Sequence, residues 1–179
     1  MISAVLGGMP MFWPGLLLSL VPAALLNRPV GRALRAHWVV GFVLLLGLGG
    51  VLTATLLPEA FQLSAGGARH CEVAGARHRG LHEVLAAPHL GIKLAAFAVV
   101  GLAATLAGSR RRAAAVLVGA VALPFAVAAV RYAVPAIGRP CDAQDVWDGL
   151  QGVALGALLG LAARPLARVR SGLRARMRA

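Results

Sequence analysis

The chain has 179 residues, enough for one ordinary domain, and 59% of them are hydrophobic while only 13% are charged. Because about a quarter of the residues in a typical soluble domain are charged, this composition excludes an ordinary soluble protein. The formal net charge of +12 raises nucleic acid as a partner, but the placement of the basic residues along the chain argues against it.

Long apolar runs predict an all-α, integral membrane bundle of five transmembrane helices. About 20 apolar residues cross a bilayer as a helix, and three runs of roughly that length contain no ionisable residue. Two shorter runs reach that length when their polar flanks lie at the interface. The predicted spans are 2–26, 38–57, 89–108, 113–132 and 146–163, in a transmembrane domain of residues 1–165 that precedes a basic cytoplasmic tail, 166–179.

The first run has the length of a signal peptide but carries Pro10, Pro14 and Pro22, and its basic residues follow it rather than precede it. A retained, kinked first helix is therefore expected, with a cleaved leader as the alternative. Residues 27–37 are predicted to form a short loop.

Residues 59–88 form the longest predicted outer segment, and His70, Cys71, His78 and His82 lie in it, with His89 just beyond. These residue types bind metals, but their spacing matches no zinc pattern and His82 lacks a second histidine four residues on. We predict a solvated loop, no metal and no cofactor.

Lys93 is the one charged residue in the third predicted span. It either snorkels to the lipid headgroups or faces the bundle and pairs with an acid. Asp145 and Asp148 lie at the same predicted level, so either of them is a candidate partner.

A polar cluster leads into the fifth span. Arg139, Asp142, Asp145 and Asp148 precede an apolar run in which glycines recur every four residues. With Lys93, these charged residues are the predicted polar centre, either a structural network or a binding site. The glycines predict close helix packing on one face and are Gly152, Gly156 and Gly160.

The two cysteines, Cys71 and Cys141, fall in separate outer segments of the predicted topology. Disulfides persist on that oxidising side, so a Cys71–Cys141 bridge is expected. Unpaired thiols, or a redox role, are the alternatives.

Arginine placement predicts the orientation. Twelve of the eighteen Lys and Arg residues lie in the segments 28–35, 110–112 and 164–178, which contain no acidic residue. The positive-inside rule makes these segments cytoplasmic, with the amino terminus outside and the carboxyl terminus inside. Topology thus accounts for the excess charge, so we expect anionic lipid headgroups rather than nucleic acid as partners.

The segment GRPCDAQDVWDGLQGVALGALLG resembles the carboxyl-terminal signature of VanZ-like membrane proteins, with Arg139, Asp142 and Asp145 at its charged positions and Gly152 and Gly156 at its glycines. TLLP at residues 55–58 and LGIKLAAFAVVG at residues 90–101 resemble earlier parts of the family pattern. The chain departs from the pattern where polar residues are usual, and it has Lys93, Val130, Ala133 and Gly149 there.

This resemblance implies a multi-pass protein of the bacterial cytoplasmic membrane, linked to glycopeptide (teicoplanin) resistance or cell-envelope homeostasis. The polar centre would then bind a polar or zwitterionic headgroup of a lipid or a cell-wall precursor, or hold the outer loops in register. Two other functions stay open from the residues. One is an enzyme on a lipid-linked substrate that uses the aspartates as base or metal site. The other is a structural or partner protein that forms homo-oligomers through the glycine face.

Overall fold

The computed structural model describes residues 12–56, 71–72, 83, 88–134 and 141–176, with the backbone alone for residues 88–89 and 165–176. These residues form five long α-helices: α1 Phe12–Leu34, α2 Trp38–Leu56, α3 Pro88–Thr105, α4 Arg110–Ala133 and α5 Ala143–Arg176. The predicted helical class is confirmed, and each predicted span overlaps one helix. Three segments are long and apolar enough to cross a membrane, namely α2, α4 and Ala143–Arg164 of α5.

The first helix differs from the prediction at its carboxyl end. Residues 27–34, predicted as a loop, continue α1 even though Pro29 lies inside the helix. Glycine explains the difference, because a Cβ added at Gly41 of α2 would lie only 2.8 Å from the backbone nitrogen of Gly31. The end of α1 therefore packs backbone to backbone on α2, and this tertiary contact outweighs the local cost of proline.

Successive helices run in opposite directions, and α3 contacts α2, α4 and α5. The main core draws on these four helices and includes Val51, Phe97, Val100, Val127 and Val153. The helix α1 packs mainly on α2, and Phe12 and Ala54 form a smaller buried cluster there.

The glycines of α5 face α3. A Cβ at Gly156 would overlap the carbonyl of Ala98, one at Gly152 would lie 2.7 Å from the carbonyl oxygen of Leu94, and one at Gly160 would overlap the hydroxyl of Thr105. In return, a Cβ at Gly101 of α3 would overlap the carbonyl of Val153. Close approach of these two backbones therefore requires glycine on both helices, and α3 occupies the face that the sequence offers for oligomerisation.

A disulfide joins the chain at one end of the bundle. Cys71 is bonded to Cys141, with 4.5 Å between their Cα atoms, which confirms the predicted bridge. Around it two short strands, β1 Cys71–Glu72 and β2 Cys141–Asp142, pair in parallel. We call this end, with the start of α3 and α5 and the end of α2 and α4, the disulfide end.

The opposite end is the arginine end, where the turn at residues 35–37 and the turn at residues 106–109 meet. The backbone nitrogen of Gly108 donates to the carbonyl of Leu34 at 3.0 Å, which fixes one turn against the other. The helix α5 passes this level and continues to Arg176, so most of the predicted tail is helical.

Candidate functional site

Three charged side chains from three helices meet at the disulfide end. Nζ of Lys93 on α3 lies 2.9 Å from Oδ1 of Asp145 on α5. The other carboxylate oxygen, Oδ2, accepts a hydrogen bond from Nη1 of Arg131 on α4. One carboxylate thus bridges two cations, and we call Lys93, Arg131 and Asp145 the triad.

Arg131 is the residue that sequence reasoning misses as a member of the site. The sequence indicates only a boundary residue at the end of the fourth span, yet its side chain is 2% exposed. Its Nε and Nη2 donate to the carbonyl of Thr55 in the last turn of α2, at 3.0 and 2.7 Å. The guanidinium therefore ties the end of α2 to α4 and α5, and its charge is balanced by Asp145.

A signal for Arg131 exists in the sequence. It is a basic residue at the end of a long apolar run, where a charge calls for a partner. What the sequence does not give is the direction of the side chain, because Arg131 could equally snorkel to the headgroups.

Asp142 and Asp148 have different roles from Asp145. Asp142 directly precedes α5, and its Oδ1 accepts from the backbone nitrogen of Gln144 at 2.8 Å, as an N-cap does. Asp148 is buried and its Oδ1 accepts from Nε2 of Gln144 at 2.7 Å. Of the two candidate partners for Lys93, the structure therefore selects Asp145.

The fold brings these groups together through helix direction. Helices α2 and α4 end where α3 and α5 begin, so the carbonyl of Thr55 and the side chains of Arg131, Lys93 and Asp145 share one level. The disulfide precedes Asp142 directly in the chain and so holds the first turn of α5 at that level.

A small cavity lies beside the triad. Its volume is ≈ 10 Å³, and the triad, Asp142 and Asp148 all line it, together with apolar residues of α3 and α4. Such a volume holds about one water molecule. A headgroup therefore does not fit inside, and a ligand of that size would bind at the mouth of the cavity, where Lys93 is 14% and Asp145 26% exposed.

Arg139, the remaining residue of the predicted polar centre, lies outside the described residues, as do His70, His78 and His82 of the predicted outer loop. Within the described ranges, no group of three or more His, Cys, Asp or Glu side chains is placed to hold a metal ion.

The comparisons with known proteins identify no relative. No protein-family model, curated protein or solved structure matches this chain.

Proposed function

We propose that this chain is a five-span protein of the bacterial cytoplasmic membrane, with the disulfide end outside and the arginine end in the cytoplasm. Large apolar side chains that face away from the bundle support membrane insertion, among them Leu18, Val118 and Leu158, which are 74%, 69% and 65% exposed. Large exposed apolar surfaces are rare on soluble monomers. The shortest helix, α3, has 18 residues and so measures about 27 Å, close to the roughly 30 Å of a bilayer core.

The orientation follows from the arginines and is tested by labelling. A cysteine substituted for His78 should react with a membrane-impermeant maleimide added to intact cells, while one substituted for Arg111 should react only after lysis. Labelling of Arg111→Cys in intact cells would show that the orientation is the opposite of the one proposed.

We further propose that the triad is the centre of a binding site for a polar or zwitterionic headgroup, of a phospholipid or a lipid-linked cell-wall precursor. The observation that carries this proposal is the unequal use of the two cations. Arg131 donates hydrogen bonds from Nε and Nη2 to the carbonyl of Thr55 and from Nη1 to Asp145. In the described part of the chain Lys93 bonds only to Asp145, and an ammonium has three donors.

Lys93 is therefore the group able to donate to a phosphate or carboxylate at the mouth of the cavity, and Arg131 is its fixed neighbour. The carboxylate of Asp145 already accepts from a cation on each oxygen, which makes it a poor general base. This arrangement favours binding over the alternative of an enzyme on a lipid-linked substrate.

Within the cell envelope, the resemblance to VanZ-like proteins adds a physiological proposal, reduced susceptibility to glycopeptides such as teicoplanin. No molecular step follows from it.

The test uses Lys93→Met, since Asp145 and Arg131 still neutralise each other in that variant. Native mass spectrometry of the detergent-purified protein, titrated with phosphatidylethanolamine, should show several-fold weaker retention of lipid for Lys93→Met than for the unsubstituted protein. Lys93→Arg should retain most of the binding.

The matched control is Glu72→Gln, which neutralises an exposed carboxylate at the same end and should leave retention unchanged. Equal retention by folded Lys93→Met would disprove the headgroup site. In cells, expression of the protein should raise the inhibitory concentration of teicoplanin and Lys93→Met should lower it again. No change on expression would remove the resistance proposal alone.

A further inference from the structure

The arginine end carries a concentration of positive charge that the headgroup proposal does not use. Its described segments contain no acidic residue. The arginines of the two turns and of their flanking helices are Arg28, Arg32, Arg35, Arg110, Arg111 and Arg112. Five of them, at positions 28, 32, 35, 110 and 111, are exposed.

Two backbone contacts join the turn at residues 35–37 to the turn at residues 106–109. Gly108 donates to the carbonyl of Leu34, and a Cβ at Gly108 would overlap the carbonyl of Arg35. The turn after α1 and the turn before α4 are therefore in backbone contact, so Arg35 lies beside the turn that leads into Arg110 and Arg111.

The backbone of Arg35 is unusual for an arginine. The turn after α1 closes by hydrogen bonds from Arg35 N to Arg32 O at 3.0 Å and from Ala36 N to Gly31 O at 2.9 Å, the pattern of a Schellman motif. The residue at this point of the motif is left-handed and is usually glycine, yet here it is Arg35 with φ of 50°. A bulky residue at such a φ is strained.

The first turn of α4 adds to the charge. Acidic residues favour the amino end of a helix, but this turn contains Arg110, Arg111 and Arg112 and no acid. Nη1 of Arg112 is buried and has no hydrogen-bond partner among the described residues. By contrast, Arg164 of α5 is used internally, since its Nη2 donates to the carbonyl of Thr105.

From these observations we infer that the joined turns of the arginine end form a binding surface for the phosphate of an anionic phospholipid of the inner leaflet. The inference rests on the proposal that the helices cross a bilayer. Arg35, Arg110 and Arg111 supply exposed guanidinium groups on one surface, and guanidinium binds phosphate with two parallel hydrogen bonds. Phospholipid phosphate lies at the level where transmembrane helices end, which is where the two turns lie.

The experiment compares the retention of two phospholipids by the full chain. The protein is reconstituted in nanodiscs and released into detergent, and native mass spectrometry measures how much phosphatidylglycerol and how much phosphatidylcholine stay bound. We expect preference for phosphatidylglycerol, reduced about fivefold for each arginine neutralised in Arg110→Gln and Arg111→Gln, and reduced by high salt. The pair Arg110→Lys and Arg111→Lys keeps the charge and should keep more of the preference.

Arg35→Gly separates the lipid site from the fold. It removes the charge while it relieves the backbone, so it should fold at least as well and yet retain less phosphatidylglycerol. Equal retention of both lipids by the reconstituted protein would overturn the inference. The inference would also be overturned if inorganic phosphate raised the melting temperature of the protein as much as phosphatidylglycerol does. A chain that does not enter nanodiscs at all would instead contradict the membrane proposal.

Discussion

The two ends of the bundle use charge in opposite ways. At the disulfide end the cations Lys93 and Arg131 share one carboxylate, Asp145, and the Arg131 side chain is almost fully buried. At the arginine end the cations are mostly exposed and the described segments hold no acid. Buried charge is tolerated in this fold only as a matched set, whereas exposed charge has little effect on stability and is available to a partner.

Asp145→Asn should have the largest effect. It leaves Arg131 and Lys93 facing each other without a counter-ion, and removal of one partner of a buried ion pair costs about 3–5 kcal/mol. Thermal unfolding of the purified protein in detergent measures the loss. Glu72→Gln should stay within about 0.5 kcal/mol of the unsubstituted protein. Equal melting of the two variants would mean that the triad is not buried as described.

Loss of the disulfide should come next. Cys141→Ser should lower stability by about 2–4 kcal/mol, because the bridge closes a loop with a sequence separation of 70 residues. Reductant should lower the melting temperature of the unsubstituted protein and leave Cys141→Ser unchanged. If reductant also lowered the melting temperature of Cys141→Ser, its effect on the unsubstituted protein could not be assigned to the disulfide.

A smaller effect is expected midway between the ends, where alanine scanning of two glycines should give opposite signs. Gly156→Ala should cost about 1–3 kcal/mol, because its Cβ overlaps the carbonyl of Ala98. At Gly119 of α4 a Cβ would meet no atom within 4 Å apart from its chain neighbours and the backbone of its own helix. Gly119→Ala should therefore raise stability by up to about 1 kcal/mol through helix propensity. Equal shifts would contradict the close α3–α5 contact.

The smallest expected change in stability is at the arginine end, and it is a gain, unlike the losses expected for Asp145→Asn and Cys141→Ser. Arg35→Gly should raise stability by about 0.5–1 kcal/mol, the strain of a left-handed L-residue less the entropy cost of glycine. Melting curves of Arg35→Gly and Arg35→Gln separate backbone from charge, because only the glycine relieves the backbone. A gain with Arg35→Gln as large as with Arg35→Gly would place the cost in the charge and not in the backbone.

The disagreement between expected and observed structure lies in side-chain direction and helix ends. Apolar runs predict all five helices because a helix of membrane length needs a long stretch without charge. The limit of the prediction shows at residues 27–34, which were predicted as a loop but continue α1, because the glycines at positions 31 and 41 let α1 pack closely on α2. It shows again at Arg131, because hydropathy places a basic residue at a boundary and does not say whether it turns inward.

Composition and order along the chain are enough to predict the helical class and the separation of arginines from acids, and they make a Cys71–Cys141 bridge the expected pairing, which the structure confirms. Three features become visible only in the folded chain: Asp145 rather than Asp148 pairs with Lys93, Arg131 completes the site, and α3 covers the glycines of α5. The reason is physical. Periodicity assigns a residue to a helix, but the rotation and depth of that helix, which decide what its side chains touch, are set by packing against its neighbours.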